Sequence, residues 1–287
     1  MNRILVITVT YNGMKWIDRC IGSLRQSSVP ADVFVVDNAS SDNTVEYLRE
    51  HYPEVIVHET GANIGFGKAN NIGFQHAVEK GYDYVYLLNQ DAWVMHDTFS
   101  RLLEAMEEHP EYGILSPVQM TASLDKEDRN FREKCLSSGK RYEDGLIYDV
   151  GFVMAAHWMM SRKCVVTVGG FSPAFPHYGE DDNYIHRALY HGFKVGFLMG
   201  VHAVHDRESR PYVKETAMKR KLVIAKTKVS DPRRCLVFSM IFQPLEMAAV
   251  ALYHMSWTVF LSIFSLIRAY PVLAAYRRQS KGAGAFI

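Results

Sequence analysis

"YVYLLNQDAW", residues 84–93, sets an apolar, aromatic run directly before an acid, Asp91. Tyr84 to Leu88 has no polar face, so it reads as a strand buried on both sides. An Asp just beyond such a strand has two readings. It can cap the next turn, or it can sit at the carboxyl edge of a parallel sheet, where open α/β folds collect their ligands.

The flanking sequence favours a sheet. Ile4–Val9, Val33–Val36 and Val55–Val57 are further β-rich runs. Between them lie helical patterns: Trp16, Ile17, Cys20, Ile21 and Leu24 share one face, and Val45, Tyr47 and Leu48 follow a start at Ser40–Asn43. "GANIGFGKANNIG" (61–73) opens a third, glycine-rich helix. Short apolar strands alternating with helices predict an α/β fold with a mostly parallel sheet covered on both faces. Residues 121–148 are polar and aperiodic, and read as an excursion or mobile loop. The pattern resumes from Gly151 through "GGF", an acidic helix and a strand at Lys194–Leu198.

The chain has 287 residues, a net charge of +1, 22% charged and 48% hydrophobic residues. That balance excludes extensive disorder and gives no field for nucleic acid. Four scattered cysteines with no CxxC pair point away from disulfides and zinc, and toward a reducing compartment. The apolar run in "MNRILVITVTYN" is too short and too interrupted by Thr for a signal peptide. Composition shifts near residue 210, giving expected units 1–210 and 211–287. Lys219, Arg220, Lys221, Lys226, Lys228, Arg233 and Arg234 precede an apolar stretch, Leu236–Ala275. Met247–Ile267 approaches bilayer length. The alternatives are core helices delimited by Pro244 and Pro271, one span, or a hairpin in the membrane interface. The last is preferred, with basic residues meeting anionic head groups.

Several residues carry chemistry. Asp37 ends "VVD", beside the strand that ends in "TYN" (10–12). A carboxylate there accepts the imide N–H of a pyrimidine base, with Tyr11 flanking the ring. The glycines of "NIGFGKANNIG", with Asn63 and Lys68, suit a helix start near a phosphate. A dinucleotide fingerprint is missing after the first strand. Glu180, Asp181 and Asp182 open a helix with Tyr184, Ile185 and Leu189 inward; the helix dipole accounts for one or two of these acids. On a helical period Asp181 faces the pocket while Glu180 and Asp182 turn elsewhere. His205 ends another strand and suits a metal site that already has Asp91. Trp158 and Tyr178 are candidate acceptor platforms, against the alternative of core packing.

As an ordered set, TYN, VVDNASSDNT, NIGFGKANN, LLNQDA, GGF…GEDD and the His205 strand resemble the family 2 glycosyltransferases of GT-A fold, over roughly residues 3 to 210. The resemblance implies an inverting glycosyltransferase with Mn²⁺ or Mg²⁺. Asp37 would read the base, and Asp91 would be the surviving carboxylate of a DxD-type metal motif in which Asn89 replaces the first Asp. His205 would be a further metal or diphosphate ligand, and Asp181 the general base. Donor-binding positions would be Thr10, Tyr11, Asn12, Asp37, Asn38, Asn63, Gly65, Lys68, Asn70, Asn89, Gln90 and Asp91, with Glu180 near the acceptor. The nearest branch is rhamnosyltransferase-like. A QxxRW motif is absent, so single transfers are expected from a UDP- or TDP-sugar to a glycan or lipid-linked acceptor, at the cytoplasmic face of the inner membrane. The alternatives are a sugar nucleotidyltransferase, for which "TYNGMKW" supplies too little basic, glycine-rich loop, and an inactive sugar-nucleotide-binding subunit.

Overall fold

The computed structural model describes residues 2–138, 140–141, 146–207 and 214–287. Strands β1 (Ile4–Thr10), β2 (Asp32–Asp37), β3 (Ile56–Glu59) and β4 (Tyr84–Leu88) alternate with helices α1 (Ile17–Arg25), α2 (Thr44–His51) and α3 (Phe66–Lys80). β5 (Ala92–Val94), α4 (Thr98–Glu108) and β6 (Tyr112–Met120) follow. The expected excursion is partly structured: α5 (Arg129–Phe131) runs into a π turn at Arg132–Leu136, then β7 (Lys140–Arg141) and β8 (Ile147–Asp149) pair. β9 (His157–Ser161), α6 (Arg162–Val168), α7 (Glu180–Tyr190) and β10 (Lys194–His205) complete the sheet region. Helices α8 (Lys214–Ser230), α9 (Leu236–Tyr253) and α10 (Trp257–Gln279) come last.

One sheet runs β3-β2-β1-β4-β9-β6-β10-β8-β7, with β5 beside β10. Its first four strands are parallel throughout. Beyond β4 the sheet is mixed, because β9 enters antiparallel between β4 and β6. Alternate residues of β1 serve opposite cores, as the period of a strand requires. Leu5 and Ile7 pack with Phe74, Val165 and Tyr184, while Ile4 and Val6 pack with Ile17, Leu48 and Phe99. Both faces of β1, β2 and β4 are therefore dry, while the edge strand β3 is largely exposed.

The strand order reverses around β1, which lies between β2 and β4. A crevice at such a switch point is where doubly wound sheets bind ligands. Thr10 and Asp37 end their strands at this edge, and the Asn89–Asp91 turn follows the end of β4. The strand expected at Lys194–Leu198 continues to His205 through a register shift between Leu198 and His202, where Gly200 takes φ +80°. Such a bulge turns the rest of a strand without ending it.

The apolar tail departs from two of the alternatives to the preferred hairpin. Met247–Ile267 is not one span, because the chain turns between α9 and α10. Pro244 and Pro271 lie inside these helices rather than at their ends. A helical proline frees the carbonyl four residues back; for Pro244 this is Met240 O, and Tyr270 Oη of α10 donates to it at 2.6 Å. α8, α9 and α10 share a core that includes Phe175, so they pack against the loop before α7. The expected domain boundary at 210/211 lies outside the described residues.

Candidate active site

At the switch point, Gln90 stitches the ends of β1 and β4. Its Oε1 accepts from Tyr11 N at 2.8 Å and its Nε2 donates to Tyr11 O at 3.3 Å. Tyr11 is left 49% exposed at the rim. Asn12 adopts φ +52°, and its Oδ1 accepts from Ser41 N at 2.7 Å. Asp37 is buried; it accepts from Thr10 Oγ1 at 2.8 Å and from Ser40 N at 2.9 Å, and Ser40 Oγ also donates to it. Three of about four acceptor positions are thus used within the protein, leaving one on Oδ2. The turn-capping role of Asp37 is real and sits beside any role toward a ligand. Asn38 and Asn63 join two rim loops, Nδ2 to Oδ1 at 2.9 Å, while Ile64 N donates to Asn38 Oδ1 at 2.8 Å.

The glycine-rich start of α3 approaches the protein itself. A Cβ on Gly65, at φ +85°, would meet Pro176 O at 2.9 Å, and one on Gly67 would meet Phe171 Cβ at 3.0 Å. Lys68 is exposed. Asn70 is buried and donates to Phe66 O at 3.0 Å, so its amide serves its own helix.

Asp91 and His205 come together because β10 pairs with β5, setting His205 opposite Ala92. His205 Nε2 lies 3.6 Å from Asp91 Oδ1, longer than a direct hydrogen bond. Burial pushes the Asp91 carboxyl up, but His205 and Arg207 outweigh it and hold it below the usual carboxylate range. His205 is buried, and its Nδ1 has no hydrogen-bond partner among the described residues. Asn89 is held by its backbone, N to Ala156 O at 3.2 Å.

Beneath this pair lies a residue that sequence reasoning missed. His157 is fully buried, with Nε2 2.9 Å from Val204 O and Nδ1 2.8 Å from Tyr86 Oη. Burial lowers its pKa to about 3, so the ring is neutral. A carbonyl only accepts, so Nε2 carries the proton and Nδ1 accepts from Tyr86. This clamp ties β9 to β4 and to the strand that delivers His205.

The acids at the start of α7 follow two left-handed residues, Tyr178 at φ +65° and Gly179 at φ +88°. All three acids are half-buried. Burial and the neighbouring acids push Glu180 up to about 7, and burial and Asp181 do the same for Asp182. Burial also raises Asp181, against the hydrogen bond from Asp182 N at 2.9 Å and the charges of Lys134 and Arg207. Among the described residues Glu180 Oε2 is buried without a hydrogen-bond partner. Lys134 and Arg207 were not foreseen, as they come from distant segments.

The aromatic candidates separate. Tyr178 is 45% exposed beside His177, with Arg220 of α8 5.9 Å from its ring centre. Trp158 is 0% exposed; it donates to Val153 O and packs on Phe171 and Tyr184. It is a core residue and no acceptor platform.

The donor set suits a hard cation only in part from the protein. Among the described residues no group of three or more His, Cys, Asp and Glu could hold a metal ion. Asp91 and the facing Nε2 of His205 could supply two ligands. Mg²⁺ is commonly bound by one or two carboxylates plus substrate phosphates, a pattern that the single carboxylate of Asp91 fits.

The sequence profile described as glycosyl transferase family 2 matches residues 5–168. An undecaprenyl-phosphate mannosyltransferase of Micrococcus luteus is 33% identical over 108 residues, 36% of this chain and 44% of that protein. An N-acetylglucosaminyl-diphospho-decaprenol L-rhamnosyltransferase of Mycobacterium tuberculosis is 30% identical over 122 residues, 39% of this chain and 40% of that protein. The matches span less than half the length of either relative. Among solved structures, S. aureus TarS in complex with UDP-GlcNAc has a TM-score of 0.60 and 16% identity, covering 97% of this chain and 88% of that one. A mannosyltransferase from Pyrobaculum calidifontis in complex with GDP-Man and Mn²⁺ has a TM-score of 0.62 and 18% identity, covering 95% and 86%. At these identities the likeness is one of fold.

Proposed function

The chain belongs to glycosyl transferase family 2, and from that we propose that it moves a single sugar, with inversion, from a nucleoside-diphosphate sugar to a glycan or lipid-linked acceptor. The observation that carries the reading is the meeting of Asp91 with His205 at the crevice edge, 3.6 Å apart. The donor would be UDP- or TDP-linked, its base toward Asp37 and Tyr11. The free acceptor position on Asp37 Oδ2 suits one imide N–H. Rhamnose is the proposed sugar, supported by the rhamnosyltransferase relative.

Asp91 and His205 would hold a divalent cation, whose chemistry is to stabilise charge on the departing diphosphate. Asp181 would take the proton from the acceptor hydroxyl. A carboxyl raised by burial is a better base near neutral pH, and such a base contributes ~10²–10⁴-fold. Glu180 would orient that hydroxyl, and the exposed ring of Tyr178 would stack on the acceptor sugar. Base and diphosphate on opposite faces of the anomeric carbon give inversion.

The second unit, 211–287, would place the enzyme at the cytoplasmic face of the inner membrane. α9 and α10 are long and apolar enough to cross a membrane, by length and composition, and only 22% and 17% of their apolar windows are buried. An anionic surface suits the basic residues of α8. The test is a screen of UDP-, TDP- and GDP-sugars with Mn²⁺, scored by donor hydrolysis and by transfer to lipid-diphosphate-linked GlcNAc. Turnover of a pyrimidine donor that stops with chelator supports the reading; no turnover of any donor removes it.

A further inference from the structure

Behind the acid cluster, the segment after α10 returns to the sheet region. Ser280 O accepts from His191 Nε2 at 3.0 Å, at the far end of α7. Gly284 N donates to Thr167 O at 3.1 Å, and Gly170 N donates to Ala285 O at 2.7 Å. Asn71 of α3 joins both sides. Its Nδ2 donates to Phe171 O at 3.0 Å and to Phe286 O at 3.2 Å, and its Oδ1 accepts from Phe171 N at 2.6 Å.

Two features of the sheet region fit closely against this segment. The first is the paired glycine of "GGF". A Cβ on Gly169, at φ +83°, would lie 1.9 Å from Ala285 O, and one on Gly170 would lie 2.7 Å from Phe286 O. The second is Arg187, fully buried with no carboxylate partner among the described residues. It donates to Gly170 O at 2.6 Å and to Val168 O, and its guanidinium sits 4.8 Å from the centre of the Phe286 ring. Carbonyl dipoles and a ring face stand in for a counter-ion.

The contact continues inward. Phe171 packs on Phe74 and Tyr184 at 5.7 and 5.0 Å. The narrow space at Gly67 touches both Phe171 and Glu180, the latter 3.9 Å from a Cβ placed there. We propose that residues 280–287 form a strap that fixes the α6–α7 loop, and with it Glu180 to Asp182, with Phe286 as the positioning residue. This rests on the reading of that cluster as the site of transfer.

The test compares Phe286→Ala, Phe286→Leu and Phe286→Tyr in the full chain, by hydrogen exchange, UDP–Mn²⁺ calorimetry and transfer kinetics. For Phe286→Ala, amides of 169–182 should exchange faster while β1 stays protected. Its kcat should fall about 10- to 100-fold, with UDP affinity within about twofold of wild type. Phe286→Tyr should restore both. Phe286→Leu keeps bulk without an aromatic face and serves if the alanine variant fails to fold; it should loosen the same amides. Exchange decides the matter even if no donor is found. Unchanged loop exchange in both variants, or equal loss of protection in β1 and the loop, overturns the strap.

Discussion

Asp181 is flanked by two acids whose pKa values also lie high, so mutants must separate them. Asp181→Asn keeps size but cannot take a proton. We expect kcat to fall ~10²–10⁴-fold with UDP affinity nearly unchanged, whereas Asp182→Asn costs far less. The reverse order of rates would move the base to Asp182. Asp91→Ala should abolish the Mn²⁺-dependent part of UDP binding in calorimetry while the melting temperature changes little. Equal affinity with and without Mn²⁺ in the wild type would remove the metal from the scheme. The acid cluster also sets opposite pH slopes for stability and rate. Glu180 and Asp182 are raised from 4.5 and 3.8 to about 7. Between those values the folded protein holds protons that the unfolded chain has released, so this contribution to stability is lost as pH rises to about 7. Transfer, which needs an ionised base, should instead rise across the same window as one joint titration of the cluster, tuned by Lys134 and Arg207. Melting curves and kcat/KM over about pH 5 to 8 check this; parallel slopes would contradict it, and Glu180→Gln should flatten the melting profile.

Legibility differed between elements for physical reasons. β1, β2 and β4 were readable because burial on both faces forces unbroken apolar runs. β6, "YGILSPVQM", carries Gly, Ser and Pro, and β9, "HWMMS", has no β-branched residue; both are central strands specified by neighbours rather than propensity. His205 was legible because it ends a strand pattern, whereas His157 shows its role only through partners at residues 86 and 204. For Trp158 the structure bears out the core-packing alternative, which an aromatic near a core strand leaves open in sequence because it looks the same whether buried or exposed. The α9–α10 hairpin makes its own prediction. Its tip exposes Leu252 75%, Met255 87% and Trp257 75%. Leu252→Lys with Trp257→Lys should weaken flotation with anionic liposomes about tenfold or more. Unchanged flotation would leave the basic face of α8 as the membrane contact.

Across the whole molecule, several contacts among the described residues join the apolar bundle to the sheet region. Phe175 lies in the core of the bundle, Asn183 Nδ2 donates to Ser230 Oγ at 3.1 Å, and the 280–287 segment reaches Thr167 and Gly170. Loss of membrane binding and loss of chemistry should therefore be separable. Hairpin-tip variants should still transfer sugar to a soluble acceptor, while a chain ending at residue 235 should lose both binding and transfer. Full transfer by the shortened chain would mean that the sheet region positions its acids alone. The return of residue 286 to residue 71 has a consequence in time as well as in space. Synthesis runs from residue 1 upward, so the sheet, Asp91 and His205 can all be in place while Phe286 is still unmade. The two apolar helices emerge before it. In order of synthesis, the acid loop is thus made well before the segment that packs on it.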